Sequence, residues 1–170
     1  MKSNLLRIVI LASLIFTMNS CSSDSSEVAA DNNSTNLTSK VIDYSYNETE
    51  IATMNLINEY RVSVGLNSLE RINHISFKSE EHNHYMIANK VVNHNDFVAR
   101  SENIIKVLGA KKVGENVAYN FNSPESVVAA WLNSPAHKDN IVGNYTHFGL
   151  AIKSDPVTGK KYYTNIFAKI

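Results

Sequence analysis

The stretch VVAAWLNSPAHKDNIV, Val127 to Val142, decides how this chain folds. Val127, Val128, Trp131 and Leu132 recur at the spacing of one helical face, and the run stops at Asn133-Ser134. Pro135 then restarts the chain at a first helical position, where its missing N–H costs nothing, and His137 falls within the first turn that follows. The same punctuation stands upstream: Ser123-Pro124-Glu125 supplies a cap, a proline and an acid near the positive end of the helix dipole. Two helices back to back therefore carry a tryptophan into the core and a titratable ring to a helix N-terminus. There the dipole disfavours imidazolium and keeps the ring neutral.

Downstream the pattern changes period. Thr146 to Ile152 alternates Phe148, Leu150 and Ile152 against His147, Gly149 and Ala151. Lys160 to Ile170 is rich in Tyr, Thr, Ile and Phe, and SDPVTG between the two runs predicts a hairpin. Val113 to Tyr119 predicts a third strand. Upstream, Ile51, Met54, Ile57, Tyr60 and Val64 repeat at helical spacing, with Glu48 and Glu50 near the start and Gly65 past the end. A second helix is expected over 76–91, with Phe77, His84, Ala88 and Val91 along its apolar side. Ser101 is expected to cap a short helix ending at Gly109. Helices before and between strands whose two faces are both fairly apolar predict an α+β domain, its sheet covered on two sides.

The N-terminal end reads as an address. Lys2 and Arg7 precede the apolar run Ile8 to Phe16, and Met18-Asn19-Ser20-Cys21 follows. The run is short of the roughly 20 apolar residues that a membrane span takes. Residues 1–20 resemble a bacterial lipoprotein signal peptide, which makes Cys21 the lipidated N-terminus and the membrane a partner through that lipid. Cys21 is the only cysteine, so no disulfide can form within the chain and no thiol remains for catalysis once it is acylated. Residues 21–47 are rich in Ser, Asn and Asp, too polar to repay their ordering entropy, and are expected to be a flexible tether before a domain at 48–170. Lys+Arg and Asp+Glu balance at 16 each, and the only basic doublets are Lys111-Lys112 and Lys160-Lys161. That balance argues against nucleic acid as a partner.

Six histidines raise the question of a metal. His82 and His84, two apart on a helix, diverge by about 200° and cannot share an ion. EEHNH is neither H-E-x-x-H nor its inverse. His84, on the apolar side, is expected to be a hydrogen-bonded core residue, while His74 and His82 are expected to be solvated. His147 stays open. His94 in VVNHNDF, His137 in NSPAHKDN and Glu115 in VGENVA remain. Spacing alone leaves them open between a shared site and three ordinary surface polar residues.

NEYRVSVGLNSL, the helix ending in VVNH, then GENVAYN, VVAAWLNSPAHKDNIV and THFGLAI occur in an order that resembles the CAP superfamily. This is the family of cysteine-rich secretory proteins, venom antigens and plant pathogenesis-related proteins, and the likeness is nearest to its short bacterial members, the SCP-like domains. The resemblance implies a three-layer α-β-α sandwich with a small, mostly antiparallel sheet covered by helices on both faces. It further implies a cleft in which His94 and His137 hold zinc or another divalent cation, with Glu115 nearby. The second cleft acid of eukaryotic relatives and their disulfides have no counterpart here, so a reaction needing paired carboxylates is disfavoured.

Two functions from different classes follow. The first is an extracytoplasmic module, lipid-anchored in the bacterial cell envelope, whose cleft binds a divalent metal, a lipid or a cell-wall ligand without a defined reaction. It draws support from the absence of G-x-S-x-G, of S-x-x-K and of an available cysteine. The alternative is a metal-dependent hydrolase in which His94, His137 and Glu115 surround a water-activating ion, with Glu115 the candidate catalytic group.

Overall fold

Ser123 begins its helix as the sequence predicts: its hydroxyl accepts from the Ser126 amide at 3.2 Å, and the Ser126 hydroxyl answers the Ser123 amide at 3.2 Å. The structure, a computed structural model, describes residues 42–170. The signal-like segment, Cys21 and most of the expected tether lie outside the described residues.

The described residues form α1 (Glu48–Ser63), β1 (Glu70–Arg71), α2 (Asn73–Asn89), α3 (Phe97–Leu108), β2 (Lys112–Tyr119), α4 (Pro124–Asn133), α5 (Pro135–Ile141), β3 (His147–Ser154) and β4 (Lys161–Lys169). The sheet order is β1-β3-β4-β2. β4 pairs antiparallel with both β2 and β3, and β1 pairs parallel with β3. The hairpin and the strand near 113–119 appear where expected, whereas the two-residue β1 had no signal in the sequence.

Alternation along the strands sorts the core into two layers. Ala118, Phe148, Leu150, Ile152, Tyr163 and Phe167 pack with Met54 and Ile57 of α1, with Val127, Val128 and Trp131 of α4, and with Ile141 of α5. On the other face Ile166 and Ala168 meet Ile75 of α2 and Ile104 of α3, while Val117 and Tyr162 meet Met86 of α2. The result is the three-layer α-β-α sandwich. At 25–30 cal/mol per Å² of apolar surface removed from water, a fully buried side chain such as Trp131 or Phe148 contributes about 2–3 kcal/mol.

Folded structure begins before Glu48. Tyr44 is buried and donates to Glu50 Oε1 at 2.8 Å, and Asn47 caps α1 in a reciprocal box with Glu50. The last residues assigned to the tether thus belong to the domain, because aromatic rings and a capping amide find partners there.

The inward face of α2 differs from expectation. Ile75, Ser76, Ser79, His82, Asn83 and Met86 are buried, while His84 is exposed. His82 is therefore the core histidine and His84 the solvated one, the reverse of the hydropathy reading. The reason lies in the sheet. Beyond β1 the edge of β3 has no neighbouring strand among the described residues, and buried backbone groups need partners. Ser76 Oγ accepts from the Leu150 amide at 3.2 Å, and Glu50 Oε1 accepts from the Ile152 amide at 2.8 Å. Ser79 and Asn83 donate to the carbonyls of Gly149 and Ala151 at 3.3 and 2.8 Å. Polar side chains complete this edge, and α2 lies so close that a Cβ at Gly149 would meet the backbone of Ile75 and Ser76.

Candidate functional site

Glu115 lies on β2, the outer strand, and successive residues there serve opposite faces. Its carboxylate is buried against α2 and α3, whereas Asn116 turns to α5. His94 Nδ1 donates to Glu115 Oε1 at 2.8 Å. Arg100 of α3 grips the same carboxylate with both arms, Nε to Oε2 and Nη2 to Oε1, each at 2.9 Å. His82 Nε2 stands 3.9 Å from Oε1 and donates to the Asn93 carbonyl at 2.8 Å.

These contacts set the charges. Burial by itself would raise the Glu115 pKa, but hydrogen bonds from His94 and Arg100 outweigh it and hold the carboxyl below its usual range. With an ionised acceptor on Nδ1, His94 carries its ring proton there and leaves Nε2 free on a half-exposed ring. His82 is pushed down, chiefly by burial. Its Nδ1 is buried without a partner, which fits a neutral ring protonated at Nε2. Burial, and then the charge of His94, lower His137 below its ordinary value.

α5 positions His137. Asn116 Nδ2 donates to the His137 carbonyl at 3.0 Å, and Asn140 Nδ2 donates to the Glu115 carbonyl at 3.2 Å and to Asn116 Oδ1 at 2.8 Å. Trp131 Nε1 donates to the Val117 carbonyl at 3.1 Å. Side chains from α4 and α5 therefore close the outer edge of β2, and the Ser134-Pro135 break carries His137 to that edge.

His94, Glu115 and His137 thus come from three distant segments to one strand edge. Sequence reasoning missed Arg100, a lone cation inside a helix, and misplaced His82. His74, bonded to Asn103 at 2.8 Å, and His147, 3.5 Å from Glu70, have partners of their own. A separate cavity of about 610 Å³, lined by Arg61, Asn67, Tyr145, His147 and Lys169 among others, includes none of His94, Glu115 and His137.

Among the described residues no three His, Cys, Asp or Glu side chains gather to hold an ion. Both oxygens of Glu115 are engaged by His94 and Arg100.

This fold is that of a CAP domain. The sequence pattern of the CAP family, the cysteine-rich secretory protein family, matches residues 54–167, and the chain belongs to it. A single cysteine shows that the fold holds without the disulfides of the family name. Among curated relatives, the uncharacterized protein YkwD of Bacillus subtilis is 49% identical over 41 residues, 24% of this chain. The uncharacterized membrane protein YlbC of the same organism is 37% identical over 60 residues, 35% of this chain. The chain spans 16% of the length of each. An outer surface protein from Borrelia burgdorferi shares the fold at a TM-score of 0.65 and 23% identity, covering 74% of this chain and 96% of that one. An extracellular SCP-domain protein from Bacillus anthracis does so at 0.64 and 23%, covering 72% of this chain and 40% of that one. At these identities the likeness establishes the fold alone. No helix among the described residues is long and apolar enough to cross a membrane.

Proposed function

We propose that this CAP-domain protein is a binding module of the bacterial cell envelope, anchored by lipid on Cys21 and displayed outside the cytoplasm. Its His94–His137 cleft takes zinc or another divalent cation. The ion offers open positions to an oxygen-bearing lipid or cell-wall ligand. The observation that carries this reading is the 2.8 Å bond from His94 Nδ1 to Glu115, which leaves Nε2 unpartnered on a half-exposed ring, while burial keeps His137 neutral. The location draws support from the signal-like N-terminus and from the outer-surface and extracellular descriptions of the Borrelia and Bacillus anthracis neighbours.

Binding is favoured over hydrolysis. A general base needs a pKa near the working pH, and hydrogen bonds from His94 and Arg100 hold Glu115 below its usual range. Zinc titration calorimetry of the purified protein should find one ion per chain, with uptake lost in His94→Ala and in His137→Ala. Equal uptake by wild type and both variants would sink the shared site. For the address, Cys21→Ala should move the protein out of the membrane fraction, and unchanged fractionation would refute the anchor.

A further inference from the structure

We propose that Arg100 is the positioning residue of this cleft: one guanidinium sets the loop that carries His94 against the strand that carries Glu115 and so fixes which nitrogen of His94 faces outward. Arg100 Nε and Nη2 hold both oxygens of Glu115 at 2.9 Å. Its third nitrogen, Nη1, donates to the Asn95 carbonyl at 2.6 Å, one residue past His94. No other described side chain in the site touches both the loop and the carboxylate at hydrogen-bonding distance. His82 pins the loop through Asn93 O at 2.8 Å, and Tyr85 does so through Asn95 Nδ2 at 2.6 Å, but His82 stands off Glu115 at 3.9 Å.

The surroundings of Arg100 agree with that role. Its side chain is only 10% exposed, and Glu115 is the only carboxylate it pairs with among the described residues. α3, which delivers it, has a single fully buried apolar residue, Ile104, and leaves Val98, Ile105 and Val107 in solvent. Core packing therefore anchors this helix weakly, and the Arg100–Glu115 fork is a principal tie to β2. A guanidinium suits the task because its planar donors match a carboxylate in two places and still reach a third acceptor, which an ammonium cannot do with fixed direction. Without the fork, Glu115 would be free to turn about its side-chain torsions, and His94 would lose the fixed acceptor that selects the Nδ1–H tautomer.

The test reads the tautomer directly and needs no metal. Two-bond nitrogen–proton spectra of the full-length protein with ¹⁵N-labelled histidine, recorded above the histidine titration, should show His94 as the Nδ1–H form. Arg100→Gln should yield a mixture with a substantial Nε2–H share. Arg100→Lys, which keeps the charge but not the fork, should fall between. The near-ultraviolet signal of Trp131 reports whether each variant folds, and if Arg100→Gln does not, Arg100→Lys decides. A wild-type tautomer ratio in a folded variant overturns the proposal. Where the wild-type protein takes up zinc, the loss of orientation should also weaken zinc binding about 10–100-fold. That second readout rests on the metal reading above. Should wild type bind no zinc, the metal reading fails, and the tautomer result still stands or falls separately.

Discussion

The side-chain amide of Asn116 donates to the main-chain carbonyl of His137 at 3.0 Å, joining the residue after Glu115 to α5. Because side chains alternate along β2, Glu115 and Asn116 reach opposite layers and between them hold both histidines to one strand edge. Asn116 is fully buried, so its amide has no water to fall back on. Asn116 therefore ties β2 to α5 through the His137 carbonyl and Asn140.

Replacing Asn116 by Ala removes a donor to His137 and an acceptor for Asn140. Leaving such buried groups unpaired costs about 1–3 kcal/mol. Urea unfolding should show that loss, and zinc affinity should fall while the His94 tautomer stays as in wild type. A changed tautomer would mean that α5 and the His94 loop are not independently held.

Acid should weaken the fold in two stages. His82 and His137 lie below their ordinary value of 6.5 in the folded protein, so below about pH 6.5 the unfolded chain binds more protons and stability falls with pH. Glu115, held below 4.5, adds a second loss once pH drops under that value. Melting temperature should therefore decline between about pH 7 and pH 5, and less steeply in His82→Gln, whose amide can still donate to Asn93 O but does not titrate. A flat wild-type profile over that range would contradict the buried neutral ring.

Gly149→Ala should destabilise by about 1–3 kcal/mol or more, since the new methyl meets the α2 backbone of Ile75 and Ser76, which cannot swing aside as a side chain can. A melting temperature equal to wild type would show that α2 can back away from the sheet.

Arg61 is buried and donates to the carbonyls of Asn67, Ile141 and Gly143 at 2.9, 2.6 and 3.0 Å. Arg61→Met keeps the apolar stem but strips three carbonyls of their donor, and a loss of about 3 kcal/mol or more is expected. Denaturant unfolding checks this. A small effect would mean that water replaces the guanidinium in the adjoining cavity.

The two Ser-Pro starts, the hairpin and the strand at 113–119 were legible in the sequence because each depends on neighbours within a few residues. Proline geometry, a capping hydroxyl and a period of two act locally. His94, Glu115 and His137 could be named as candidates by resemblance and by elimination, but their convergence could not be read from spacing, since no local rule relates three distant segments. The error on α2 has a definite cause. Hydropathy placed His84 inward, whereas the face that meets an unpaired strand edge needs hydrogen-bonding groups more than apolar ones: Ser76, Ser79 and Asn83 supply them, and His82 on the same buried face bonds the Asn93 carbonyl instead.

By itself, then, the sequence determined where most helices and strands begin and that the sheet is covered on two sides, because hydrophobic period and backbone stereochemistry are properties of short segments. Only the tertiary structure decided that Arg100 takes both oxygens of Glu115, that His94 meets Glu115 through Nδ1 and that His82 is the buried ring. The physical reason is that a carboxylate's partners and an imidazole's tautomer are set by whatever lies within about 3 Å, and the chain brings those atoms together only by folding.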